Sequence, residues 1–123
     1  MAFCTVVNCM DGRVQLPVIQ YLMERFGTKY VDSITEPGPV AILGEEQADP
    51  RAESIMERIR ISIEKHNSRA VAIVAHHDCA GNPVSKDIQM SQMKKSVSLT
   101  KDAFPGIEVI GLWVDEDWKV IEV

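Results

Sequence analysis

The sequence predicts an α/β fold, a mostly parallel central sheet with helices on both faces. Three observations carry the prediction. Residues 70–75 (Ala-Val-Ala-Ile-Val-Ala) form an apolar run with no polar alternation, the mark of a strand buried on both faces. Residues 2–8 repeat that character with β-branched and apolar side chains. Segments with helical spacing of apolar residues alternate with such runs along the chain. At 123 residues and 13.7 kDa, residues 1–123 are expected to form one domain.

After the strand at 2–8, Asp11-Gly12 breaks the run. Pro17 falls where a helix tolerates proline, in its first turn, and Val18, Ile19, Leu22, Met23 and Phe26 recur at helical spacing before Gly27 stops it. Residues 29–35 read as a second, less apolar strand nearer an edge. Glu36-Pro37-Gly38-Pro39 predicts a rigid turn, and residues 40–50 carry no assignable pattern. A helix follows over 51–66, with Ile55, Ile59 and Ile63 on one face. The strand at 70–75 leads into a turn at 78–83 and a polar helix from Ser85 to about Ala103, which Pro105-Gly106 ends. Residues 107–114 form a further strand, and Asp115-Glu116-Asp117 turns the chain into an antiparallel partner at 118–123. The expected strand order is 2-1-3-4 with the antiparallel strand last. Trp113 and Trp118 are expected to pack across that terminal hairpin.

Composition narrows the function. Lys and Arg number 13 against 18 Asp and Glu, a net charge of −5, which argues against a free-standing nucleic-acid binder. The cleanest apolar run is residues 70–75, far short of the roughly 20 residues of a membrane span. Residues 1–5 show neither a basic n-region nor a long apolar stretch, so the expected location is the cytoplasm. Three cysteines in such a chain favour thiol or metal chemistry over disulfides.

In folds of this kind ligands sit at the carboxyl ends of strands. There Cys9-Met10-Asp11-Gly12-Arg13 follows the first strand and His76-His77-Asp78-Cys79 the third. Two thiolates and an imidazole suit zinc, which takes sulfur and nitrogen in tetrahedral geometry. His77 should point the other way out of the strand. A redox thiol pair and plain burial are the competing readings of Cys9 and Cys79. Asp11 also reads as a turn residue or cap and Arg13 as a surface ion pair, with Gly12 allowing a sharp turn between them. Cys4 reads as packing, His66 as a helix cap or surface group, and Met90 with Met93 as a packing face.

Cys9-x-Asp11-x-Arg13 together with His76-x-x-Cys79 resembles the β-class carbonic anhydrases. Val14, the Pro37-Gly38 turn and the closing segment Gly111-Leu112-Trp113-Val114 match as well. The resemblance implies that Cys9, His76 and Cys79 are zinc ligands and that Asp11 and Arg13 form the catalytic dyad. It implies reversible hydration of carbon dioxide to bicarbonate by a zinc-bound hydroxide, in a homodimer or higher oligomer. Asp11 is implied as a possible fourth ligand in a closed state. The alternatives are a zinc hydrolase of carbonyl sulfide or carbon disulfide, and a non-catalytic zinc scaffold closed by Asp11. In the family a helical arm precedes the first strand and supplies a glutamine to the substrate; this chain reads as a short, minimal member without it, and Gln15 and Gln20 do not map onto that glutamine. Ala80 stands where the family has glycine, and Ala80-Gly81 is expected to offer N–H groups to the Cys79 thiolate.

Overall fold

The computed structural model describes residues 1–45 and 48–123. Five strands form one sheet: β1 (Phe3–Cys9), β2 (Tyr30–Glu36), β3 (Ala70–His76), β4 (Glu108–Val114) and β5 (Val120–Glu122). Their order is β2-β1-β3-β4-β5, parallel throughout except for the antiparallel β4–β5 pair. This is the expected fold and order. Among the described residues the α-helices are α1 (Gln15–Phe26), α2 (Pro39–Gly44), α3 (Pro50–His66) and α4 (Lys86–Ala103).

Alternate residues of β1 and β3 serve two cores. On one face Val7, Val71 and Ile73 meet α2, α3 and α4 through Val40, Ile55, Ile59 and Met93. On the other Val6, Ala72 and Val74 meet α1 through Val18 and Leu22. Leu22, Ile55 and Ile59 are fully buried, each worth about 1.5–3 kcal/mol of transfer free energy. That two-sided burial explains the unbroken apolar runs of β1 and β3.

Local chemistry sets the element ends. α1 starts at Gln15, after a 3-10 turn at Gly12–Val14, which leaves Pro17 in its first turn as predicted. Gly27 closes it in the left-handed conformation at φ 65°. The Asp49 side chain caps α3 by accepting from the Arg51 N–H, and Asn67 ends that helix at φ 55°. Part of the unassigned stretch is the short helix α2. Its Val40, Ile42 and Leu43 fill the core without a long enough pattern to be read, and positions 46–47 lie outside the described residues.

Two local expectations are corrected. Trp113 and Trp118 do not pack against each other: Trp113 lies in the core that faces α2–α4, Trp118 against the α1 side. The hairpin strand is only Val120–Glu122, because residues 115–119 form a turn in which Asp115 Oδ1 accepts from the N–H groups of Asp117 and Lys119. His66 is an exposed residue in the last turn of α3, as expected, and its Nδ1 also lies 2.6 Å from Asp32 Oδ2 while its ring stacks on Phe3 at 4.2 Å, tying α3 to the sheet. Cys4 and the Met90–Met93 face are packing residues, as expected.

Candidate metal centre

β1 and β3 are neighbouring strands, so the loops leaving their carboxyl ends meet. This brings Cys9, His76 and Cys79 together, with their donor atoms all within 4.8 Å of one another. All three are buried, and the two Sγ atoms are 3.9 Å apart. A tetrahedral zinc with sulfur at its usual distance would separate two thiolates by about 3.8 Å. His76 Nδ1 lies 2.7 Å from the His77 carbonyl, which must accept, so Nδ1 carries the proton. Nε2 is then a lone-pair donor, buried and without a hydrogen-bond partner among the described residues. An orphaned imidazole nitrogen beside two thiols is the donor set that fits zinc. His77 itself is exposed, as expected.

The surroundings favour thiolate at Cys9. Cys79 donates to Cys9, which holds the Cys9 thiol well below its ordinary value against the opposing effect of burial. His76 and the backbone N–H groups of Gly38 and Asp11 act in the same direction. Cys79 is raised in turn, because its S–H donates to the Cys9 sulfur and because it is buried. Burial alone would lower His76, but the Cys9 sulfur and the His77 carbonyl outweigh it and raise it. The N–H groups that face Cys79 belong to Gly81 and Asn82, one residue later than the expected Ala80-Gly81 pair.

Asp11 and Arg13 make a bidentate pair: Nε–Oδ1 is 3.1 Å and Nη2–Oδ2 is 2.7 Å. The Arg13 fork holds the Asp11 carboxyl down to about 2, so it is ionised and acceptor-only. Asp11 is also a cap, accepting from the Arg13 N–H at 2.9 Å. The turn at Gly12–Val14 does not need glycine: the φ of Gly12 is not left-handed and nothing lies within 4 Å of where its Cβ would sit.

A family model described as "Putative carbonic anhydrase" matches residues 1–123. The chain belongs to this carbonic anhydrase family. Comparison with curated protein sequences finds no match. Solved structures that share the fold include β-carbonic anhydrase isoform I of Trichomonas vaginalis, with TM-score 0.61 and 17% identity over 98% of this chain and 80% of that one. The β-carbonic anhydrase CafA of Aspergillus fumigatus aligns with TM-score 0.57 and 14% identity, over 98% and 74%. The β-carbonic anhydrase CcaA aligns with TM-score 0.61 and 10% identity, over 99% and 80%. The chain therefore has the β-carbonic anhydrase fold.

Around the Cys9–His76–Cys79 cluster stand residues that sequence reasoning missed. Asn8 accepts from the Cys9 N–H at 2.8 Å and donates to the Val14 carbonyl at 3.1 Å. Gln15 donates to the carbonyls of Cys9, at 2.7 Å, and Asp11, at 3.0 Å. Together they brace the loop that carries the dyad. Gln89, from α4, donates to the His76 carbonyl at 3.0 Å. A polar residue closing an apolar strand was a readable signal for Asn8. Gln89 gave none, since a glutamine in a polar helix is ordinary.

Proposed function

We propose that this chain is a zinc-dependent carbonic anhydrase that interconverts carbon dioxide and bicarbonate. The observation that carries the reading is the buried Cys9–His76–Cys79 cluster, with an orphaned His76 Nε2 beside two sulfurs, next to an ionised Asp11. Cys9, His76 through Nε2, and Cys79 would hold the metal. When bound, zinc supplies Lewis acidity that makes water a nucleophile near neutral pH.

The chain's own residues do the rest. Asp11 can only accept a hydrogen bond, so it takes one O–H of the attacking water and turns an oxygen lone pair toward the carbon. Arg13 fixes that carboxylate through its planar fork, which lysine's single ammonium cannot reproduce. Asn8 and Gln15 keep the Cys9 and Asp11 main chain in place while the proton leaves. Substrate and product are small, so positioning rests on this loop rather than on a large pocket.

The same reading includes a homodimer or larger assembly in the cytoplasm. β2 lies at the edge of the sheet with Tyr30 exposed, and a free strand edge invites pairing. No helix among the described residues is long and apolar enough to cross a membrane.

Stopped-flow hydration of carbon dioxide by zinc-loaded protein tests the activity. A rate well above that of Cys79→Ser at matched zinc supports it. A rate no higher than the variant's, with zinc bound to the wild type, removes it.

A further inference from the structure

Arg13 is held by more than Asp11. Its Nη1 donates to Asp78 Oδ2 at 3.2 Å, and its Nη2 also donates to the Asp78 main-chain carbonyl at 3.2 Å. The indole of Trp118 lies against the guanidinium, 4.4 Å from Cζ to the ring centroid. With Nε and Nη2 on Asp11, the guanidinium joins the loop after β1 to the loop after β3 and to the β4–β5 turn.

The backbone marks the same two partners. Among the described residues only Asn67, Asp78 and Trp118 are non-glycine residues with left-handed φ, and two of the three touch Arg13. Asn67 ends a helix, where that conformation is common. A tryptophan at φ 60° is a costly outlier, and such strain persists only where surrounding structure enforces it. Here the Asp115 carboxylate enforces it by binding the main chain on either side, at Asp117 and Lys119.

We propose that Asp78 and Trp118 are positioning residues that hold Arg13 on Asp11 and so keep the Asp11 carboxylate off the metal position. The inference rests on the reading of Cys9, His76 and Cys79 as metal ligands. A carboxylate is itself a good zinc ligand, and Asp11 lies only two residues from Cys9. An arginine whose side chain is 45% exposed holds it weakly unless the guanidinium is fixed beforehand. Asp78 occupies the donors that Asp11 does not use, and the Trp118 face removes the freedom to swing outward. The dyad is therefore set by three loops rather than one.

The test uses the full chain loaded with cobalt(II), whose visible absorption reports its ligands, and azide as the probe of an exchangeable position. Wild type and Trp118→Phe, which keeps an aromatic face, should respond at azide concentrations within about twofold of each other. The double variant Asp78→Asn, Trp118→Leu should need about tenfold more azide, because a released Asp11 competes for the metal. Adding Asp11→Asn to that double variant should restore the response, which a merely structural effect would not. Asp78→Asn alone, at an exposed position that leaves the fold intact, should move the response the same way by about threefold.

An azide response in the double variant equal to wild type overturns the inference and leaves the metal reading standing. So does a weakened response that Asp11→Asn does not restore, which would assign Trp118 to packing, or a wild type that ignores azide. A wild-type cobalt protein without thiolate-to-cobalt absorption removes the metal reading, and the inference with it.

Discussion

Gln89 donates its side-chain Nε2 to the main-chain carbonyl of His76 at 3.0 Å, from a side chain only 2% exposed. The bond fixes the end of β3 at the residue whose imidazole faces Cys9. Partners of this kind, one bond removed from a metal ligand, commonly set affinity by 10- to 100-fold. Gln89→Leu keeps the volume, removes the donor and also removes the buried Oε1, which has no partner among the described residues. It should still cost about 1–3 kcal/mol of stability, because the buried His76 carbonyl loses its donor, with the removal of the orphaned Oε1 offsetting part of that. Zinc affinity should fall about tenfold, read by competition with a chromogenic chelator. Unchanged affinity would make Gln89 a packing residue.

The three thiols should separate by reactivity. Cys9 is held toward thiolate by Cys79, while burial pushes Cys4 up despite its contact with Thr28. In zinc-loaded protein none of the three should react with iodoacetamide at neutral pH. After chelation Cys9 should react first, and Cys4 only on unfolding. Peptide mass mapping checks the order. Early labelling of Cys4, or labelling of Cys9 that zinc does not slow, contradicts it.

The loops behind the centre interlock with no room to spare. A Cβ on Gly81 would sit 2.6 Å from the Pro37 carbonyl carbon and 2.9 Å from its Cα, both backbone atoms that cannot give way. Gly81→Ala should cost about 1–3 kcal/mol in urea unfolding and weaken zinc binding, since Gly81 also faces the Cys79 sulfur. Gly12→Ala is the control, with open space and ordinary backbone, and should stay within about 0.5 kcal/mol. Equal costs for the two would contradict the packing argument.

These contrasts show where sequence reading succeeds and stops. β3 was legible because seven successive buried residues leave a continuous apolar run. The meeting of Cys9 with His76 and Cys79 followed from strand adjacency, which the alternating pattern implies. The contacts of Arg13 beyond Asp11 were not legible, since Asp78 lies 65 residues away and its approach depends on a left-handed residue in the loop. Trp118 was misplaced for a related reason. A hairpin pattern suggests cross-strand pairing, but the Asp115-centred turn sends its indole to the other face. Gly12 was over-read, because glycine in a loop suggests a need that the backbone there does not have.

The start of α3 offers a pH test away from the metal. Asp49 is held below its ordinary 3.8 first by the Arg51 side chain and then by the Arg51 N–H that it caps. The folded state thus favours the carboxylate more than the unfolded chain does. Its contribution to stability is fully present above the ordinary value and is lost as pH falls through the lower folded value. At pH 7, Asp49→Ala should lower the melting temperature of the metal-free chain by a few degrees. The gap should narrow as pH drops below about 3.8 toward the folded value. Asp49→Asn, which still caps but carries no charge, should melt between the two at pH 7 and approach wild type in acid. A gap between wild type and Asp49→Ala that does not change with pH would show that the carboxylate charge contributes nothing, leaving only the cap.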